Sequence, residues 1–196
     1  MEDQEKQKGA CATWKDRFST KRIALMGVFV ALSYAASLFE IPLPLFGASF
    51  LKLDFGNVFI VLISFLLGPV EGVLVCVFKE SLRMIGGTVV GEVANMIVTC
   101  AFILFPAIIY RHKKGLKVVL LSLCVGCVIA TGVALLANRY IMFPLYEQFL
   151  AMSAAEAFSV FWIAILLFNL IKTAAISVLT LLLYKRLSNF LKKWKI

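Results

Sequence analysis

The sequence predicts an all-α integral membrane protein, a six-transmembrane-helix bundle with both termini cytoplasmic. Three observations carry that prediction. The 196 residues are 62% hydrophobic and only 16% charged, with mean hydropathy +0.95, whereas a soluble domain averages under half apolar and about a quarter charged. The apolar residues fall in runs, and about 20 apolar residues cross a bilayer as a helix. The basic residues fall almost entirely between those runs and at the two ends.

In chain order, residues 1–22 form a polar, mixed-charge cytoplasmic tail, residues 23–184 a six-helix membrane domain and residues 185–196 a basic cytoplasmic tail. The first span runs from Ile23 to Phe39, and a Pro-rich apolar loop, EIPLPLFGASFLKLD, follows it. Phe55 to Leu67 is a second span of only about 20 Å, either a short crossing or one arm of a re-entrant hairpin. Gly68-Pro69 forms a tight turn, because proline cannot continue the preceding helix. Val70 to Ile85 is the third span, and Gly86-Gly87 break it. Val89 to Tyr110, Val118 to Leu136 and Phe161 to Tyr184 complete the set.

Charge sets the orientation. Six basic residues lie in the N-terminal tail, four in the fourth-to-fifth loop (Arg111, Lys113, Lys114, Lys117) and five after Tyr184, of 20 in all. With six spans these three segments share one side, which is cytoplasmic by the positive-inside rule. The net charge of +9 is thereby a consequence of topology and gives no support to nucleic-acid binding. A cleaved signal peptide over the first span would leave five spans and put the basic segments on opposite sides. Cys124 and Cys127 form C-V-G-C inside the fifth span, but no second pair accompanies them, and the sole histidine, His112, is in another loop. Helix packing by small residues accounts for them better than a metal or redox site. The chain holds no phosphate-binding loop, no H-E-x-x-H and no G-x-S-x-G. It therefore offers no support for an enzyme or for a resident cofactor or metal.

The informative residues are polar ones within apolar runs, because an ionisable group in hydrocarbon costs about 2.5–3.5 kcal/mol on insertion scales. They are Lys79, Glu80 and Arg83 in the third span, Glu92 and Asn95 in the fourth, Asn138 at the end of the fifth, and Asn169 and Lys172 in the sixth. Structural pairing of Lys79 or Lys172 with Glu80 or Glu92, with Arg83 snorkelling outward, competes with a functional role. By depth the last three spans place their polar groups in the outer half. Asn169 and Lys172 sit about 12 and 17 Å below the start of the sixth span and share one helical face. Amides and an ammonium offer donors and acceptors suited to a planar heterocycle with alternating carbonyls and ring nitrogens. Apolar and aromatic residues of the flanking loops, Leu43, Leu45, Phe46, Phe50, Tyr140, Phe143 and Tyr146, would wall such a small-molecule site. On the first span, Gly27, Ala31 and Ala35 recur every four residues, a small-residue stripe that lets another helix approach closely. That partner is either internal or external.

Several segments taken in order, IPLPLFGASFLKLDF, LLGPVEGVLVCVFKE, GEVANMI, Asn138 and N-L-I-K, resemble the riboflavin-specific substrate-binding (S) component of energy-coupling factor transporters, over about residues 23–184. The resemblance implies a six-helix protein without ATPase activity, which captures a vitamin outside and works with a transmembrane scaffold subunit and two cytoplasmic ATPase subunits in the bilayer. It implies riboflavin as transported substrate rather than cofactor, with Asn138, Asn169 and Lys172 on the isoalloxazine ring. It further implies contacts from the first loop (Leu43, Leu45, Phe46, Gly47, Ala48) and places Lys79, Glu92 and Asn95 toward the ribityl chain. Gly27, Ala31 and Ala35 would then face the scaffold. The chain departs from the family at Gly56-Asn57, where polar residues such as Ser-Asp are common, which weakens any ligand role for the start of the second helix. An S component for another vitamin, and a stand-alone secondary carrier using Glu92 and Lys172, are the competing readings. A carrier would be expected to show an internal repeat with paired broken helices, and the sequence shows none.

Overall fold

The computed structural model describes residues 19–43, 48, 51–86, 89–113, 115–148 and 152–193, with side chains as far as Tyr184. Six helices make the bundle: α1 Thr20–Ser37, α2 Asn57–Leu66, α3 Pro69–Gly86, α4 Val89–His112, α5 Leu116–Ala137 and α6 Ala154–Lys193. A two-stranded antiparallel hairpin, β1 Ile41–Pro42 and β2 Lys52–Leu53, lies in the first loop, with Ile41 opposite Leu53. A π-helical turn, Asn138–Met142, and a one-turn helix, Phe143–Tyr146, extend α5.

Three of these elements are long and apolar enough to cross a membrane: Val89–His112, Leu116–Tyr146 and Ala154–Tyr184. The second predicted span is shorter than the sequence suggests. α2 has ten residues, about 15 Å, half the thickness of the hydrocarbon core. It is enclosed instead of lipid-facing, with Asn57, Val58 and every residue from Ile60 to Phe65 buried. Close backbone approach makes this possible. A Cβ on Gly72 of α3 would lie 2.5 Å from Ser64 Cβ of α2, and one on Gly56 would lie 2.2 Å from the Ser33 carbonyl oxygen of α1. Gly68 takes φ +135°, a conformation that favours glycine, so the predicted Gly-Pro turn forms.

α6 begins seven residues earlier than its apolar run. Ser153 and Glu156 form a reciprocal cap, with the Ser153 N–H and hydroxyl donating to the Glu156 carboxylate at 2.9 Å and the Glu156 N–H donating to Ser153 Oγ at 3.3 Å, as an S-x-x-E sequence allows. The early start lengthens the helix on the loop side of Asn169 and Lys172. α4 is therefore the better reference for their depth.

The inner face of α1 is Phe29, Ser33 and Ser37, all buried, with the Ser33 hydroxyl donating to the Gly56 carbonyl at 2.7 Å. Gly27, Ala31 and Ala35 are all exposed, and a Cβ on Gly27 would meet nothing within 4 Å. The stripe therefore does not pack inside this chain. Cys127 lies against Ser177 of α6 at 3.6 Å while Cys124 is exposed. Among the described residues no cluster could hold a metal ion, and Cys11 lies outside them.

Candidate functional site

Polar side chains from four helices and the first loop converge inside the bundle. α2 contributes Asn57, α3 Lys79 and Glu80, α4 Asn95 and Thr99, α6 Lys172, and the residue after β2 contributes Asp54. All are buried except Asn95, which is partly so. Burying charges is costly unless each is paired and hydrogen-bonded, and the pairing is dense. The Lys79 ammonium donates to an Asp54 carboxylate oxygen, to Glu80 Oε1 at 2.9 Å and to Asn57 Oδ1 at 3.5 Å. Asn95 Nδ2 donates to Glu80 Oε1 at 2.7 Å and to Asp54 Oδ2 at 3.2 Å. Asn57 Nδ2 donates to Asn95 Oδ1 at 3.2 Å and to Thr99 Oγ1 at 3.0 Å.

The two lysines differ in how their donors are used. An ammonium has three N–H donors. Lys79 meets three partners, so the structural pairing considered from sequence describes it, with Asp54 as a partner additional to Glu80. Lys172 is only 6% exposed, yet among the described residues its one hydrogen-bond acceptor is Asn95 Oδ1. Its ammonium also lies 5.9 Å from the centre of the Phe168 ring. Lys172 pairs with neither Glu80 nor Glu92 directly.

Asn95 is six residues into α4, about 9 Å from its first residue, so the cluster lies toward the end of the bundle where the first loop and α4 begin. α6 projects beyond it. The opposite end is closed by an edge-to-face aromatic group of Phe65, Tyr110 and Tyr184, whose centroids are 5.2–6.2 Å apart, with the two tyrosine hydroxyls in contact.

The first loop lies over α6. Ala48 and Leu51 are buried in one apolar cluster with Ala164 and Phe168, and Leu43 and Phe161 pack against it. Phe168 is adjacent to Asn169, so Leu43 and Ala48 stand over the turn that carries the polar pair. Leu45, Phe46, Gly47 and Phe50 lie outside the described residues. Of the other aromatic walls, Phe143 is buried and stacks on Phe161 at 6.4 Å, whereas Tyr140 is 67% exposed and turns away from the bundle.

Asn169 and Asn138 stand apart from the network. Asn169 is buried and donates one amide N–H to the Ile165 carbonyl at 2.8 Å; Asn138 is half-buried and donates to the Ala134 carbonyl at 2.7 Å. Among the described residues each spends one of its two amide N–H groups, on its own helix four residues back. Asn138 also opens the π-helical turn, a distortion that recurs at functional sites.

Arg83 does not snorkel. It donates to Glu40 at 2.6 Å, to Glu92 at 3.2 Å and to the Ser37 carbonyl at 2.9 Å, and Glu40 also pairs with Lys52 of β2. Glu92 is thus engaged by Arg83, and the Glu40–Arg83 pair ties the hairpin to α3. Partial burial pushes the Glu40 carboxyl up, but Lys52 and Arg83 outweigh it and hold it below the usual carboxylate range. A depressed carboxyl stabilises the tether above its unfolded value near 4.5 and loses that contribution as pH falls through the folded value. Hydrogen–deuterium exchange at residues 40–43 and 51–53 is therefore expected to quicken, after correction for the intrinsic rate, as pH falls through the lowered Glu40 value. Arg83→Ala should bring the faster exchange to neutral pH. Equal protection in Arg83→Ala and the parent would show that the tether is idle.

Comparison with known proteins places this architecture. The family model for the ECF transporter, substrate-specific component, matches residues 21–184. The chain is 32% identical over 177 residues to the riboflavin transporter RibU of Staphylococcus aureus (strain TCH60), covering 88% of this chain and 93% of that one. It is 27% identical over 181 residues to the riboflavin transporter FmnP of Bacillus subtilis (strain 168), covering 88% and 95%. A solved S component of a bacterial ECF transporter superposes with a TM-score of 0.75 at 31% identity, covering 88% of this chain and 98% of that one. With its sequence matched across nearly all the helical bundle and its fold shared with a solved member, the chain belongs to the family of substrate-specific components of ECF transporters.

Proposed function

We propose that this chain is the riboflavin-binding component of an ECF-type uptake transporter in the prokaryotic plasma membrane. It binds its substrate reversibly and without chemistry, and separate ATPase subunits supply the energy. The observation that carries this reading is the buried Lys172 ammonium, which among the described residues spends one of its three donors, on Asn95. It lies one turn from Asn169, beneath the first loop. A flavin ring presents carbonyl and ring-nitrogen acceptors along one edge. Lys172, Asn169 and Asn138 would supply its polar partners, and Leu43, Ala48 and Phe168 an apolar cover. The names of the two curated relatives support riboflavin over another vitamin. Lys79 has no donor left for a ribityl hydroxyl, and Glu92 is committed to Arg83. Asn95 is the remaining member of that group with access to the Lys172 side.

Both termini are proposed to be cytoplasmic, with six crossings in which enclosed α2 counts as one. The exposed Gly27, Ala31 and Ala35 face a transmembrane scaffold subunit, through which two ATPases act. Mass spectrometry of the small molecule released when the purified protein is denatured tests the substrate. Riboflavin is the expected mass, and a different vitamin would redirect the assignment. For topology, an impermeant thiol reagent outside the cell is expected to label a cysteine introduced at Gln148 and spare one at Lys113. The reverse pattern would invert the orientation.

A further inference from the structure

Asn95 touches more of the polar cluster than any other side chain described. Its Oδ1 accepts from Asn57 and Lys172, and its Nδ2 donates to Asp54 and Glu80. It is the single described hydrogen-bond link between Lys172 on α6 and the Asp54–Lys79 pair at the foot of the first loop. A buried ammonium on a four-carbon stem has several rotamers, and one fixed acceptor selects among them. We infer that Asn95 is a positioning residue for the substrate: it aims the Lys172 ammonium and ties it to the base of the first loop. This rests on the proposed role of Lys172 in flavin binding. It differs from a direct contact of Asn95 with the ribityl chain, which sequence resemblance alone implies.

The two arrangements diverge in how substitutions combine. A residue that acts only through Lys172 loses its effect when Lys172 is gone, whereas a direct ligand contact or a general packing role adds to the loss. Riboflavin affinity should be titrated by flavin fluorescence for the parent, Asn95→Leu, Lys172→Met and the double variant. Asn95→Leu is expected to weaken binding about tenfold in the parent and less than about twofold in the Lys172→Met background. Equal losses in the two backgrounds would overturn the positioning role and leave the role of Lys172 standing. Parent-like affinity of Lys172→Met would overturn both.

Asn95→Leu also strips partners from Asn57, Asp54 and Glu80, so a second variant guards against misfolding. Asn95→Gln keeps the carbonyl and the amide donors but moves them one methylene along. It is expected to bind riboflavin more tightly than Asn95→Leu when Lys172 is present, and the two are expected to bind alike once Lys172 is also methionine. The same difference between the two variants in both backgrounds would overturn the inference.

Discussion

Lys172→Met is expected to weaken riboflavin binding at least 10- to 100-fold, and Asn169→Ala by roughly the same factor. The physical reason is the state of the donors before the substrate arrives. Lys172 is buried and among the described residues has one hydrogen-bond acceptor, so a substrate carbonyl can meet N–H groups that those residues leave unspent. Loss of the ammonium leaves that carbonyl unpaired. Hydrogen bonds to charged groups contribute about 1.5–3 kcal/mol, neutral ones somewhat less, and each 1.4 kcal/mol is tenfold in affinity. Lys79→Met provides the contrast. All three Lys79 donors are engaged by Asp54, Glu80 and Asn57. Removing it leaves buried carboxylates uncompensated, a change of about 3–5 kcal/mol in stability. Lys79→Met should therefore lower the unfolding temperature markedly, while Lys172→Met should lower affinity in a protein that still folds. A conservative change at Leu179, two turns further along α6, should alter neither. Fluorescence titration with a thermal melt of each variant decides between them. Parent-like affinity in both Lys172→Met and Asn169→Ala would return the pair to a purely structural role.

The legible part of this site was what hydrocarbon makes expensive. Asn95, Asn169 and Lys172 stand out because polar groups inside apolar runs need a reason. Their surroundings were harder to read. Asp54 and Asn57 sit at the end of a loop and the first turn of a short helix, where polar residues are ordinary, so nothing in the sequence marks them as partners of Lys79. Gly56-Asn57 serves the interior of the bundle. Gly56 lets α1 approach, while Asn57 joins Lys79, Asn95 and Thr99. Arg83 reads as a snorkelling side chain because its acceptors, Glu40 and Glu92, are 43 and nine residues away. Pairing across that distance depends on how the first loop folds back. The length of α2 and the start of α6 also depart from the apolar pattern, for different reasons. A run of apolar residues does not reveal whether lipid or protein covers it, and the Ser153–Glu156 cap carries no apolar signal at all. The cap was present in the sequence as S-x-x-E and could have been found.

Ala31→Trp or Ala35→Trp is expected to abolish riboflavin uptake in cells while leaving riboflavin binding by the isolated protein unchanged. The separation follows from the two faces of α1. Phe29, Ser33 and Ser37 turn inward and hold the start of α2. Gly27, Ala31 and Ala35, placed about 200° round the helix from them, turn outward and are exposed. Beside this stripe an apolar groove of about 440 Å³ runs between α1 and α3, lined by Ile23, Met26, Gly27, Val30, Leu74 and Phe78 among others. Small residues flanking a groove permit close helix approach without displacing side chains, and lipid alone makes no such demand on residue size. An indole on that face adds bulk where a partner helix would pass, yet it meets no atom of this chain that serves the Lys172 cluster. Uptake and binding should therefore come apart. If both variants take up riboflavin like the parent, the scaffold docks elsewhere. If both lose binding in the isolated protein, the outward face of α1 is part of the fold's own stability and the partner assignment fails with it.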